Sequence, residues 1–198
     1  DVSDYDGEML PVALLNVGIS DALYETYPEL RDGRVGLGLT NIVIEYLDWT
    51  NRFEFVEEKS EIKNRMKDQW VASRKGVSEN KVYGIGKITL AKYFVSIEIY
   101  DFSVSEDEVL SLKEGSKQTS TTRLGLQVRF TDAETGRYLV GSGLGDAKTV
   151  KTQEGLIGLD VDEIKFRESG IGVSTRKALE TASARIVARM IRKGIFEN

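Results

Sequence analysis

Chemistry in this sequence could reside in three short runs and two pairs of acids. Gly33-Arg-Val-Gly36-Leu-Gly38 is rich enough in glycine to let a backbone approach a pyrophosphate, but it lacks the G-x-G-x-x-G order which that cradle needs. Gly86-Lys87 resembles the end of a phosphate loop, without the glycine five residues earlier or the hydroxyl residue that follows. Glu106-Asp107-Glu108 offers hard oxygen ligands to a cation, without EF-hand spacing or a glycine at the bend, and reads as a solvated charge run. Glu57-Glu58, or Asp160 with Asp162, could exchange protons as paired carboxylates. Nothing in the pattern gathers them with a nucleophile, and adjacent acids on a strand point to opposite faces, so they read as surface carboxylates. Without histidine or cysteine there is no Ser-His-Asp triad, imidazole shuttle, thiolate nucleophile or Cys-ligated metal. The expectation is a non-enzymatic chain with no catalytic residues, no metal ligands and no cofactor.

Composition narrows the class further. The 198 residues carry 27 basic and 32 acidic side chains, a net charge of −5, and 40% of them are hydrophobic. This is enough apolar material for one folded domain, and it lacks the basic field that binding nucleic acid requires. No apolar run approaches the roughly 20 residues of a membrane helix. The sequence opens at Asp1 without an initiator methionine, as expected where a targeting segment has been removed.

Periodicity supplies the elements. Residues 1–8 are polar and read as a loose arm, and 9–17 form an apolar run expected to be a buried strand. A loop is expected over 18–34, where Pro28 keeps Tyr27 out of the helical region. Val35, Leu39, Ile42, Val43, Tyr46 and Leu47 share one helical face. A strand over 52–56 and a helix over 60–74, with Ile62, Met66 and Trp70 in register, come next. From Tyr93 the period is two: Tyr93, Val95, Ile97 and Ile99 share one face of a strand, and Leu124, Leu126, Val128 and Phe130 one face of another. Asp132-Ala-Glu-Thr-Gly136 is a hairpin turn leading to a strand over 137–140. The last helix takes Ser174 as its cap, Leu179, Ala182, Ile186 and Met190 as its stripe, and Gly194 as its stop. Arg185, Arg189, Arg192 and Lys193 read as a solvated basic end.

Two intervals, 101–123 and 145–173, are too long for ordinary loops and carry patches of alternation. Phe102, Val104, Leu110 and Leu112 share one parity in the first, and Ile157, Leu159 and Val161 in the second. Each could be an extended β-hairpin. The fold class is therefore α+β, a single domain over 1–198 with a mixed sheet flanked by helices and inserted hairpins at about 101–123 and 145–173.

The order of these motifs resembles the curli-secretion channel and holdfast-anchor (CsgG/HfaB) family along nearly the whole chain. The resemblance is carried by Leu10-Pro-Val-Ala-Leu-Leu-Asn16, the helix over 35–47, Asn51-Arg-Phe-Glu-Phe-Val-Glu57, Met66-Lys-Asp-Gln-Trp70 and Ala91-Lys-Tyr-Phe-Val-Ser-Ile-Glu-Ile99. Its most specific piece is Leu126-Gln-Val-Arg-Phe-Thr-Asp132 followed by Ala-Glu-Thr135-Gly136.

The resemblance implies a Gram-negative outer-membrane lipoprotein whose periplasmic domains form a homo-oligomeric ring. The hairpins of all subunits would close one β-barrel, the arrangement that satisfies every backbone group in lipid. Its partners would be secreted or surface-anchored protein subunits, with no nucleic acid. The resemblance also implies a lipid anchor on an N-terminal cysteine, and none stands in the 198 residues. The segment over 18–34 matches the family's pore constriction, with Tyr27-Pro28 as its Tyr-Pro. Arg31 and Asp32 stand where the curli channel has an Asn-Phe pair, implying a charged ring. Glu106 and Glu108 interrupt the apolar row of the first hairpin. That leaves open a soluble periplasmic accessory lipoprotein that binds an envelope enzyme or flagellar assembly without forming a pore.

Overall fold

The computed structural model describes residues 5–56, 62–66, 68, 71, 89–112, 115–150 and 163–196. Five strands form one mixed sheet: β1 (Leu10–Ile19), β2 (Phe53–Phe55), β3 (Tyr93–Leu112), β4 (Gly115–Asp132) and β5 (Tyr138–Val150), in the order β2-β1-β3-β4-β5. β1 runs parallel to both β2 and β3, while β4 is antiparallel to β3 and β5. α1 (Asp21–Thr26), a 3-10 turn (Pro28–Arg31) and α2 (Gly33–Trp49) follow β1; α3 (Glu163–Glu168) and α4 (Gly170–Arg192) follow β5. The expected α+β class holds, with a mixed sheet flanked by helices.

The core is the surface where α2 and α4 meet one face of the sheet. Val35, Leu39, Ile42, Val43 and Leu47 of α2 are buried, as are Leu179, Ala182, Ile186 and Met190 of α4. Against them stand Leu10 and Val12, the odd row Tyr93 to Ile99, and the even row Leu124 to Phe130. Phe130 packs on Phe53 at 5.0 Å between ring centroids, and Phe53 on Phe196 at 5.8 Å.

Past Ile99 the inward parity of β3 changes. Ile99 faces Leu126 while Asp101 faces Gly125, a bulge that brings Phe102 rather than Asp101 onto the buried side.

Several expectations are corrected. The interval 18–34 is not a loop: β1 extends to Ile19, and α1 and the 3-10 turn fill the rest. α2 starts at Gly33 rather than Val35, because the Asp32 carboxylate accepts from the Arg34 N–H at 2.9 Å. Residues 5–8 are not loose, since Tyr5 packs edge-on against Phe196 and lies under the Arg52 guanidinium at 4.5 Å. The cap of the last helix is Ser169, whose Oγ accepts from the Gly172 N–H at 3.2 Å. Ser174 is buried inside the helix, its hydroxyl donating to the Gly170 carbonyl at 2.7 Å. Gly194 does end that helix: at φ 69° its N–H reaches Ile191, while Ile195 reaches back to Met190.

In the second interval, 145–150 continue β5, and 163–168 and 170–173 are helical. Phe166 decides this locally by burying its ring against α2, where a Cβ on Gly38 would lie 2.5 Å from it. Any hairpin there is confined to residues before 163. Of the helix expected over 60–74, residues 62–66 are helical, and Trp70 lies outside the described residues, as do Glu57, Glu58, Gly86, Lys87, Asp160 and Asp162.

Candidate functional site

Two neighbouring features stand out: the foot of the β3–β4 hairpin and the edge of β5, which among the described residues pairs with β4 alone. At the foot, Phe102 is buried and meets Tyr27 edge-to-face, with centroids 4.9 Å apart and an interplanar angle of 85°. Pro28 holds Tyr27 at φ −128°, which separates α1 from the 3-10 turn. Leu30 anchors that turn in the core, while Pro28 and Arg31 stay exposed and the Arg31 guanidinium lies 5.3 Å from the Tyr24 ring centroid. Asp32 faces Arg34, with Nη2 to Oδ2 at 2.8 Å. The Arg34 side chain, then its N–H, hold the Asp32 carboxyl down at about 2.

A folded pKa below the usual 3.8 means this cap stabilises the ionised state. Its contribution is present above about pH 4 and lost as pH falls through about 2. Asp32→Ala should lower Tm by about 2–4 °C at pH 7. Thermal melts of wild type and variant should converge between pH 4 and 2, and a constant gap would contradict the assignment.

Beyond the foot, the hairpin projects. α4 begins level with β4 Thr122, where a Cβ on Gly170 would stand 2.3 Å from the threonine hydroxyl. β3 and β4 stay paired from Val104↔Thr122 out to Leu110↔Lys117 and Leu112↔Gly115. β5 accompanies them to Val150↔Thr119. Val104 is half-buried at the root of this arm; for Leu110 and Leu112 the structure gives the register alone. Ile157, Leu159 and Val161 lie outside the described residues. From Val104 to Leu112 the arm reaches about 26 Å.

The β5 edge is built differently. Gly141, Gly143 and Gly145 face α4, and a Cβ at these positions would lie 2.4, 1.9 and 1.9 Å from the carbonyl oxygens of Ala182, Ala178 and Ser174. Four helix residues advance about 6.0 Å and two strand residues about 6.6 Å, so the two ladders stay in step. One helix position along, a second ladder reaches the rim. Lys177 Nζ donates to the Asp146 carbonyl at 2.8 Å, Arg185 Nη1 to that of Ser142 at 2.6 Å, and Arg189 Nη1 to that of Val140. Arg185 and Arg189 are therefore strand contacts and not a solvated helix end. Sequence reasoning missed this surface; the signal was glycine at every second residue of 141–145 against small residues at every fourth of 174–182.

At the opposite end of the sheet, the turn after β4 explains Asp-x-x-Thr-Gly. Asp132 Oδ1 accepts from the N–H groups of Thr135 at 2.7 Å and Glu134 at 3.0 Å, and from the Thr135 hydroxyl at 2.9 Å. The Thr135 N–H, then its hydroxyl, lower the pKa of this carboxyl, and Gly136 closes the turn at φ 68°. On the face away from the helices, Asn16, Ser96, Glu98, Gln127 and Arg129 line a polar cleft of about 360 Å³. Among the described residues, no three of His, Cys, Asp and Glu converge as metal ligands.

No family model matches the chain, and no curated protein does. Solved structures similar to it include the following three. The hypothetical protein CT253 of Chlamydia trachomatis is 14% identical, with 92% of this chain and 96% of that one covered at a TM-score of 0.48. Lipoprotein GNA1162 of Neisseria meningitidis is 14% identical, over 80% and 97%, at 0.33. A PelC dodecamer subunit of Paraburkholderia phytofirmans is 10% identical, over 85% and 88%, at 0.31.

Proposed function

We propose that the chain is a non-enzymatic, ring-forming component of a secretion or anchoring apparatus at the bacterial outer membrane, passing or holding extracellular fibre or adhesin subunits. The supporting observation is the arm: β3 and β4 stay paired as far as Leu112↔Gly115, well past the start of α4, with β5 beside them to Val150. Lone hairpins are marginal in water, and identical arms laid side by side in a ring would supply one another with neighbours. The motif order of the curli-secretion and holdfast-anchor family points to the same architecture. Tyr27, Pro28, Arg31 and Asp32 at the foot of the arm are the constriction candidates. The mechanism is geometric, in that repeated side chains around an axis limit passage to an unfolded chain.

A second reading rests on the sequence of the arm. Its β4 half, Gly-Ser-Lys-Gln-Thr-Ser-Thr-Thr over 115–122, contains no aliphatic side chain, where a lipid-facing strand needs an apolar row of about 9–11 residues. That composition suits a water-facing collar on a soluble periplasmic accessory protein.

Light scattering and negative-stain imaging of the purified protein should show a ring, and deletion of 104–121 should reduce it to monomers with the helical signal kept. A monodisperse monomer at micromolar concentration, in buffer and in detergent, would overturn the ring. Flotation with liposomes separates the two readings: the full chain floats if the arm enters lipid and stays in the dense fraction if it forms a collar.

A further inference from the structure

The chain is acidic overall, yet its last helix is strongly basic. Residues 169–194 carry six bases and one acid, whereas residues 20–56 carry seven acids and three bases. Arg176, Lys177, Arg185, Arg189, Arg192 and Lys193 are all exposed, and the exposed Ala184 and Ala188 between them let another surface come close. The ion pairs described are Asp32–Arg34, Asp146–Arg123 and Glu45–Arg167, so among the described residues none of these helix cations has a carboxylate partner. Lys177, Arg185 and Arg189 donate to backbone carbonyls of β5, which fixes their charges in place without cancelling them. Asp21, Glu25 and Asp48 on the other flank are likewise exposed and, among the described residues, without a basic partner.

The two sets of charge lie at opposite ends of the sheet, since α4 packs on β5 and β4 while α2 packs on β1 and β2. They also match in height. Lys177 reaches the Asp146 carbonyl, one residue from Gly145, whose row crosses Leu124 to Phe102, where Tyr27 ends α1. One helical turn beyond Arg189, Arg192 and Lys193 come level with Tyr138, whose row crosses Thr131 and Phe94 to Ala13. Ala13 adjoins Val12, the partner of Phe55 in the strand that follows Asp48 and α2.

We propose that the basic α4 face of one copy docks on the acidic α1–α2 face of the next, so that subunits stand side by side with their arms pointing the same way. Contact between two different faces of one chain is heterologous, and it repeats around an axis instead of stopping at a pair. This is the lateral contact of the ring, and its closure into a ring rests on that reading. Charge complementarity of this kind sets orientation and encounter rate. An anionic lipid surface fits the row less well. The cations run along β5 from Asp146 to Val140, the direction of the arm, so a membrane crossed by the arm would meet only the Arg176 end.

Sedimentation of the full chain at about 0.1 M and about 1 M salt reads the contact. R176E/R192E reverses two cations outside the β5 contacts and should weaken self-association about tenfold or more at the lower salt, with the gap narrowing at the higher. E25K/D48K should do the same from the acidic flank. Mixed in equal amounts, the two variants should associate again, because each then meets only the opposite charge on its neighbour. The fourfold variant should self-associate like wild type.

Wild-type association of a folded R176E/R192E, or a mixture no tighter than either variant alone, overturns the docking; a ring still imaged in R176E/R192E then leaves the ring reading standing. A wild type that is monomeric at the lower salt overturns both. Loss of flotation with phosphatidylglycerol vesicles in R176E/R192E, with self-association unchanged, assigns the basic face to lipid and overturns the docking on a second copy.

Discussion

Gly143→Ala should destabilise the fold by about 3 kcal/mol and lower Tm by about 6–12 °C, although it adds one methyl group. The new Cβ would stand 1.9 Å from the Ala178 carbonyl oxygen and 3.0 Å from the Ala182 N, both backbone atoms of α4 that no rotamer change can move. The helix must back away from β5, and with it go the contacts of Lys177, Arg185 and Arg189 with the strand rim. The matched control is Gly36→Ala. Nothing lies within 4 Å of a Cβ there, the residue is inside α2, and the same methyl should stabilise by about 0.5–1 kcal/mol. Chemical denaturation of the pair gives opposite signs if the close approach of helix and strand is as described. A neutral Gly143→Ala would refute it.

Phe102→Ala should cost about 3–5 kcal/mol, as expected when a buried ring leaves a cavity. Part of that cost is the edge-to-face contact with Tyr27, which a double-mutant cycle with Tyr27→Ala should place at about 0.5–1.5 kcal/mol. The cycle also bears on the constriction, because Phe102 is what holds Tyr27 at the foot of the arm. Under the ring reading, Phe102→Ala should loosen gating by the Tyr27 segment while leaving subunit number unchanged. A cycle energy of zero would mean that Tyr27 is positioned by Pro28 and Leu30 alone.

The sequence announces elements with a repeating apolar side chain and is quiet about the rest. The odd row of β3 and the even row of β4 were legible because each buries one face against helices, which imposes period two. α2 was legible for the same reason at period 3.6. α1 was not: its six residues bury none of their side chains, so no pattern marks it. The bulge after Ile99 left a trace in the change of parity between Ile99 and Phe102, which spacing alone does not locate. β5 was legible only as far as Val140, because beyond that its buried face is made of glycines, which have no side chain to alternate. Ser174 reads as a cap in sequence because it precedes the stripe, whereas helix start is fixed by local backbone satisfaction, which Ser169 supplies. At the candidate site, Tyr27 and Phe102 were each identifiable, but their contact spans the whole of α2 and β2 in sequence and is visible only in three dimensions.

The direction of the strands has a mechanical consequence. Tyr5, Leu10, the Asp132 turn and Phe196 gather at one pole, and β3 departs from the other as the arm, about 30 Å away. β1 enters at the first pole and lies parallel to β3, paired from Val12↔Tyr93 to Ile19↔Ile99. Tension applied between the N-terminal residues and the arm therefore drags β1 and β3 lengthwise past each other. Their hydrogen bonds carry the load together, in shear, and none can be peeled open ahead of its neighbours.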